Sequence, residues 1–131
     1  MKTASLEVSK KLEAVGVDVP TYARWYYSNG KASALSELEV ETLNQWATVK
    51  RMNIPAPTAC ELGELLPAFI DDHNLTIGKE SFDGSYWISY EYRQISGDRI
   101  VLKLFQADTE ADSRGLMLCW LKENGHLEEG K

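Results

Sequence analysis

The sequence predicts one α+β domain spanning residues 1–131. The expected fold has two layers: a mostly antiparallel sheet of three to five strands, with about three helices packed mainly on one face. Three observations predict it. The length suits one domain with one core. Residues 75–106 alternate strand-forming runs with two turn signals, which reads as a three-strand meander. On either side of that meander stand two segments with strong helix signatures.

The elements follow in chain order. Across residues 5–15, Val8, Leu12 and Val15 recur at helical spacing, and Gly16 supplies a left-handed C-cap. The run "VDVP" breaks this helix. "TYARWYYS" is rich in strand-forming residues, and "SNG" closes it as a turn. Residues 31–53 carry conflicting signals. They read as a helix through Leu35, Leu38, Leu43 and Trp46, or as a strand near "WATVKRM". A short helix or loop followed by a short strand is expected.

In "IPAPTACELGELLPAFIDD", Thr58 and Glu61 form a capping box. Leu62, Leu65, Leu66, Phe69 and Ile70 then make one apolar stripe. Pro67 lacks an amide and its ring clashes one turn back, so the helix kinks there or ends at Leu66.

In the meander, a two-residue turn at Asp83-Gly84 pairs Ile77 with Tyr90 and Leu75 with Tyr92. A three-residue loop over Ser96-Gly97-Asp98 pairs Tyr92 with Leu102 and Tyr90 with Leu104. A two-residue loop would set Tyr90 opposite Lys103 and bring a lysine to the apolar face, so the longer loop is favoured. The last helix is capped by Asp108 or Thr109 and starts acidic, with Glu110 and Asp112. Its "GLMLCWL" run is apolar all round, which predicts deep packing. Gly115 inside it predicts a close backbone approach, because glycine there costs about 1 kcal/mol against alanine. Asn124-Gly125 ends the helix.

Charge narrows the functional classes. The net charge is −6. Residues 1–53 carry +1 and residues 54–131 carry −7. Phosphate binding needs clustered cations, and Lys10-Lys11 and Lys50-Arg51 are the only adjacent basic pairs. No apolar run approaches the roughly 20 residues of a membrane helix, and the first residues lack a secretory h-region. A cytoplasmic location is expected. Cys60 and Cys119 read as buried small hydrophobes rather than as a disulfide.

"PAPTACELGELLP" at 55–67, "ADSRGLMLCWLKENG" at 111–125 and Trp25-Tyr26 resemble a set of small uncharacterised phage and prophage proteins. The resemblance covers most of the chain except 31–53, with Gly115 where alanine is expected. It implies a phage-type origin and a bacterial host cytoplasm. It carries no activity and no functional residue.

No nucleotide, nucleophile-elbow or zincin motif occurs, so no cofactor, metal or catalytic set is expected. Two candidates for a small enzyme are weighed and set aside. Cys60 sits near a helix N-terminus, where thiol pKa values fall, and His73 follows Asp71-Asp72. Thirteen residues and the Pro67 break separate the two. "DDH" reads as a solvated turn and His126 as part of a solvated tail. Asp108, Glu110 and Asp112 read as a capped helix start rather than a phosphate mimic.

On the central strand Tyr86, Ile88, Tyr90 and Tyr92 share one face, which reads as core. Trp87 lies on the other, with Phe105 and Val101 nearby, and Glu91 is expected opposite Lys103. Trp87, Phe105 and Val101 are the candidate interaction surface for an unidentified protein or a second copy. Arg24, Lys50 and Arg51 would serve the alternative, a nucleic-acid module.

Overall fold

The computed structural model describes residues 3–28, 31–36, 39–41 and 50–127. In order they form α1 (Leu6–Val15), β1 (Ala23–Ser28), β2 (Lys31–Ser36), β3 (Lys50–Pro55), α2 (Ala59–Leu65), β4 (Phe69–Ile70), β5 (His73–Lys79), β6 (Tyr86–Arg93), β7 (Arg99–Ala107) and α3 (Glu110–Glu123). The class is α+β, as expected. The strands divide between two antiparallel sheets, β2-β1-β3 and β4-β5-β6-β7.

The helices form where local chemistry directs. Ser5 caps α1 by accepting from the Val8 amide, and Gly16 ends it at φ +84°. The capping box of α2 is complete: the Thr58 hydroxyl accepts from the Glu61 amide, and the Glu61 carboxylate accepts from the Thr58 amide. Thr21 donates to the same carboxylate at 2.7 Å, tying the chain before β1 to this cap. The helix stops at Leu65, one turn before the full stripe is used. Leu62, Leu66 and Ile70 are buried, but Phe69 is displaced to the edge strand β4 and is 64% exposed.

α3 is the centre of the packing. It lies against β6 and β7 and is flanked by α1 and α2. Met117, Leu118, Cys119 and Leu121 have no exposed surface. A β-carbon on Gly115 would stand 2.5 Å from Val8 Cγ1, so α1 and α3 approach closely at the predicted glycine. A second close approach has no signature in the sequence. Arg114 lies over Gly63 and donates to the Ala59 carbonyl at 2.6 Å and to Glu110.

Residues 31–36 are a strand, where a helix or loop was expected, and among the described residues of this segment helix follows only at 39–41. They return along β1, with Ser28 opposite Lys31. The strand expected at the end of this segment is β3. Leu38, Leu43 and Trp46 lie outside the described residues.

Both hairpins shift. Ile77 pairs with Ile88 and Leu75 with Tyr90, because the first loop holds four residues, 81–84, not two. Asp83 closes that loop by accepting from the Ser85 amide and hydroxyl, which holds its carboxyl below the usual range. The shift is by two residues, so every side chain keeps its predicted face. The second loop has three residues, 95–97, as predicted in length but one residue earlier. A β-bulge at Leu102 then changes the parity of β7. Tyr90 faces Lys103, and Glu91 faces Val101 instead of Lys103.

Candidate interaction face

The inner face of the four-stranded sheet carries Leu75, Ile88, Tyr90 and Phe105 toward α3. Tyr90 is fully buried, and its hydroxyl donates to the Pro67 carbonyl at 2.7 Å. Burial raises its pKa well above the ordinary phenol value. Lys103 lies at the border of this face, with its ammonium 5.1 Å from the Phe105 ring centre and 6.0 Å from that of Trp120. Its stem covers apolar surface while its charge rests on rings, which is how the sheet admits an inward lysine.

The outer face is assembled from Thr76, Gly78, Trp87, Ser89, Glu91, Arg93, Arg99, Val101, Leu104 and Gln106. No helix is paired with it among the described residues. Val101, Leu102 and Leu104 are 42%, 36% and 44% exposed. These three lie together on β7, the edge strand. A contiguous group of this kind on a sheet face is the usual mark of a contact surface, whereas single exposed apolar residues are ordinary.

Trp87 is half-buried. Its own sheet supplies part of the cover. Gly78 is directly opposite on β5, and a β-carbon there would come within 2.4 Å of the indole ring. The ring therefore lies across the space that glycine leaves, an aromatic filling a glycine gap. Beside it Ser89 is wholly buried, and its hydroxyl has no hydrogen-bond partner. The rim is charged. Arg99 pairs with Glu91, and Arg93 stands directly opposite Arg99.

Of the predicted surface residues, Trp87 and Val101 lie on this face. Phe105 does not: the bulge turns it inward opposite Ile88, where it packs on the core. Leu104 takes its place outside. A one-residue bulge has no signature in the alternation, so alternation alone places Leu104 in the core.

Arg24, Lys50 and Arg51 are not brought to one surface. Arg51 pairs with Tyr26 and shares a face with Arg24, while Lys50 pairs with Tyr27 and points to the other side. Cys60 is not buried as expected but exposed in the first turn of α2, where it serves no apolar contact of the core among the described residues. His73 contacts the Ile70 carbonyl and the Tyr92 ring, and neither neighbour is Cys60. Cys119 is buried, and burial pushes its thiol up to about 11, so it stays protonated. Among the described residues no group of three or more His, Cys, Asp or Glu side chains is placed to hold a metal ion. The acidic start of α3 has structural partners: Asp112 accepts from the Ser5 amide at 2.6 Å, and Glu110 binds Arg114. His126 is not a solvated tail residue, since its ring stacks on Trp120 at 5.3 Å. Among the described residues no helix is long and apolar enough to cross a membrane.

Compared with protein-family models, with curated proteins and with solved structures, the chain matches none significantly.

Proposed function

We propose that the chain is a non-enzymatic protein-binding module that associates with a second copy of itself through the outer face of its four-stranded sheet. On this reading it is a phage-type accessory protein of a bacterial cytoplasm. The observation that carries the proposal is the exposed Val101, Leu102 and Leu104 group beside Trp87. The rim favours a second copy because it carries both signs. Arg93, which has no salt-bridge partner among the described residues, can join the Arg99–Glu91 pair of the other copy in a two-fold arrangement, where one patch must complement itself.

The bulge and the inward Lys103 argue that the contact uses the face and not the edge. Both are devices that keep an edge strand from pairing with another chain. The size argues that it is weak. Four strands about 4.8 Å apart and about 3.3 Å per residue give a footprint on the order of 400 Å². That is about half of what one partner contributes to a standard interface of roughly 800 Å² per side.

Sedimentation equilibrium tests this. A monomer–dimer equilibrium is expected at tens to hundreds of micromolar, abolished by Leu104→Glu. Two copies of net charge −6 repel, so association should strengthen as salt rises. Nucleic-acid binding through basic residues has the opposite salt dependence. A strict monomer at all concentrations and salts would refute the proposal.

A further inference from the structure

We infer that the cleft where the C-terminal ends of α1, α2 and α3 meet is a binding site for an organic cation, a primary ammonium or guanidinium on an apolar stem. The cleft has a volume of about 450 Å³, within the roughly 300–1,000 Å³ of small-ligand sites. It lies away from the sheet face considered above. Gly16 and Val17, just past α1, form one wall. Leu65 and Pro67, at the end of α2, form another. Lys122 and His126 close it from α3.

α1, α2 and α3 each turn the same pole to this space. A helix C-terminus carries about half a negative charge. α1 and α3, with 10 and 14 residues, are long enough to present it, and the shorter α2 adds less. Asp18 and Glu64 line the same cleft and add two carboxylates. Against them, Lys122 is the only Lys or Arg among the described lining residues. Its stem passes over the end of α1, with Cε 3.9 Å from where a β-carbon on Gly16 would stand. Among the described lining residues one lysine therefore answers two carboxylates and three helix ends, an excess of negative charge.

The remaining wall is apolar and aromatic. Phe69 lines the cleft and is 64% exposed, because Pro67 ends α2 and moves this ring off the helical stripe. An aromatic ring beside a negative site suits a cation with an apolar stem, through cation–π attraction. An anion meets the same field with the opposite sign.

The test is an amide NMR titration of the full chain at constant ionic strength. Benzylammonium is the free-amine probe. An acetylated, amidated Gly-Lys-Gly peptide presents the same ammonium as a side chain, and benzoate is the control. Saturable shifts at Gly16, Leu65 and Leu127 are expected for the cations below about 20 mM, and none for benzoate. Tighter binding of the peptide would assign the site to a basic side chain of a partner, and tighter benzylammonium to a small amine. Glu64→Gln should weaken binding about fivefold. Lys122→Met should tighten it by a similar factor, a gain that damage to the fold would not produce. No saturable shift, equal binding of benzoate, or unchanged affinity in both variants would overturn the inference.

Discussion

The two faces of the four-stranded sheet are made of the same strands but are covered to different degrees. On β6 the side chains of Ile88 and Tyr90 have no exposed surface. On β7, one strand away, Leu104 keeps 44% of its surface. Residue type does not separate the two sides, since both hold large apolar groups. What separates them is α3, which covers one side only, and the bulge at Leu102, which decides which β7 residues turn toward it. Hydrophobicity says that a residue gains by burial, but supplying a partner surface is a property of the whole fold.

Substitutions can break this contrast. The largest effect is expected on the covered side. Tyr90→Ala removes a buried ring and its bond to Pro67, and should cost about 3–5 kcal/mol in urea unfolding. Tyr90→Phe, which keeps the ring, should cost only about 1 kcal/mol. Next is the way α3 is held. Gly115→Ala places a methyl against Val8 and should cost about 1–3 kcal/mol despite alanine's better helix propensity. A stabilised Gly115→Ala protein would show that the approach of α1 to α3 is loose.

Alkaline titration probes the same side by charge. Tyr90 and Cys119 both have raised folded pKa values because burial disfavours their charged forms. Their neutral forms contribute stability that is complete below the unfolded values and is lost as pH rises through the folded ones. For Cys119 that window runs from about 9 to about 11. The urea midpoint should fall across it, and Cys119→Ala should flatten the fall.

The outer side should respond more weakly. Trp87→Ala and Gly78→Ala should be less than additive, because the ring and the glycine gap form one unit. A coupling of about 0.5–1 kcal/mol in a double-mutant cycle is expected. Leu104→Ser should change monomer stability by less than about 0.5 kcal/mol while weakening self-association. A large stability loss there would mean that Leu104 is part of the core, and would erase the contrast between the faces.

Much of the fold was legible because its signals are local. The Thr58–Glu61 box, the Gly16 cap, the Pro67 stop and the Gly115 approach each act within a turn or two of helix. The faces of β5 and β6 were also legible, since a two-residue register error preserves alternation. The candidate face was half legible: Trp87 and Val101 were placed on it, and Phe105 was exchanged for Leu104. The cleft had no local signature, because its walls come from three helix ends far apart in sequence.

The chain by itself determined the α+β class, the helix boundaries set by caps and proline, and the inward facing of Ile88 and Tyr90. These follow from backbone chemistry and from periodicities of two and 3.6 residues. Only the tertiary structure decided the division into two sheets, the bulge that sends Leu104 outward, the ring of Trp87 lying on Gly78, and the meeting of three helix ends. Each of these depends on which surfaces compete for α3 and for one another, and that competition is settled between segments rather than within them.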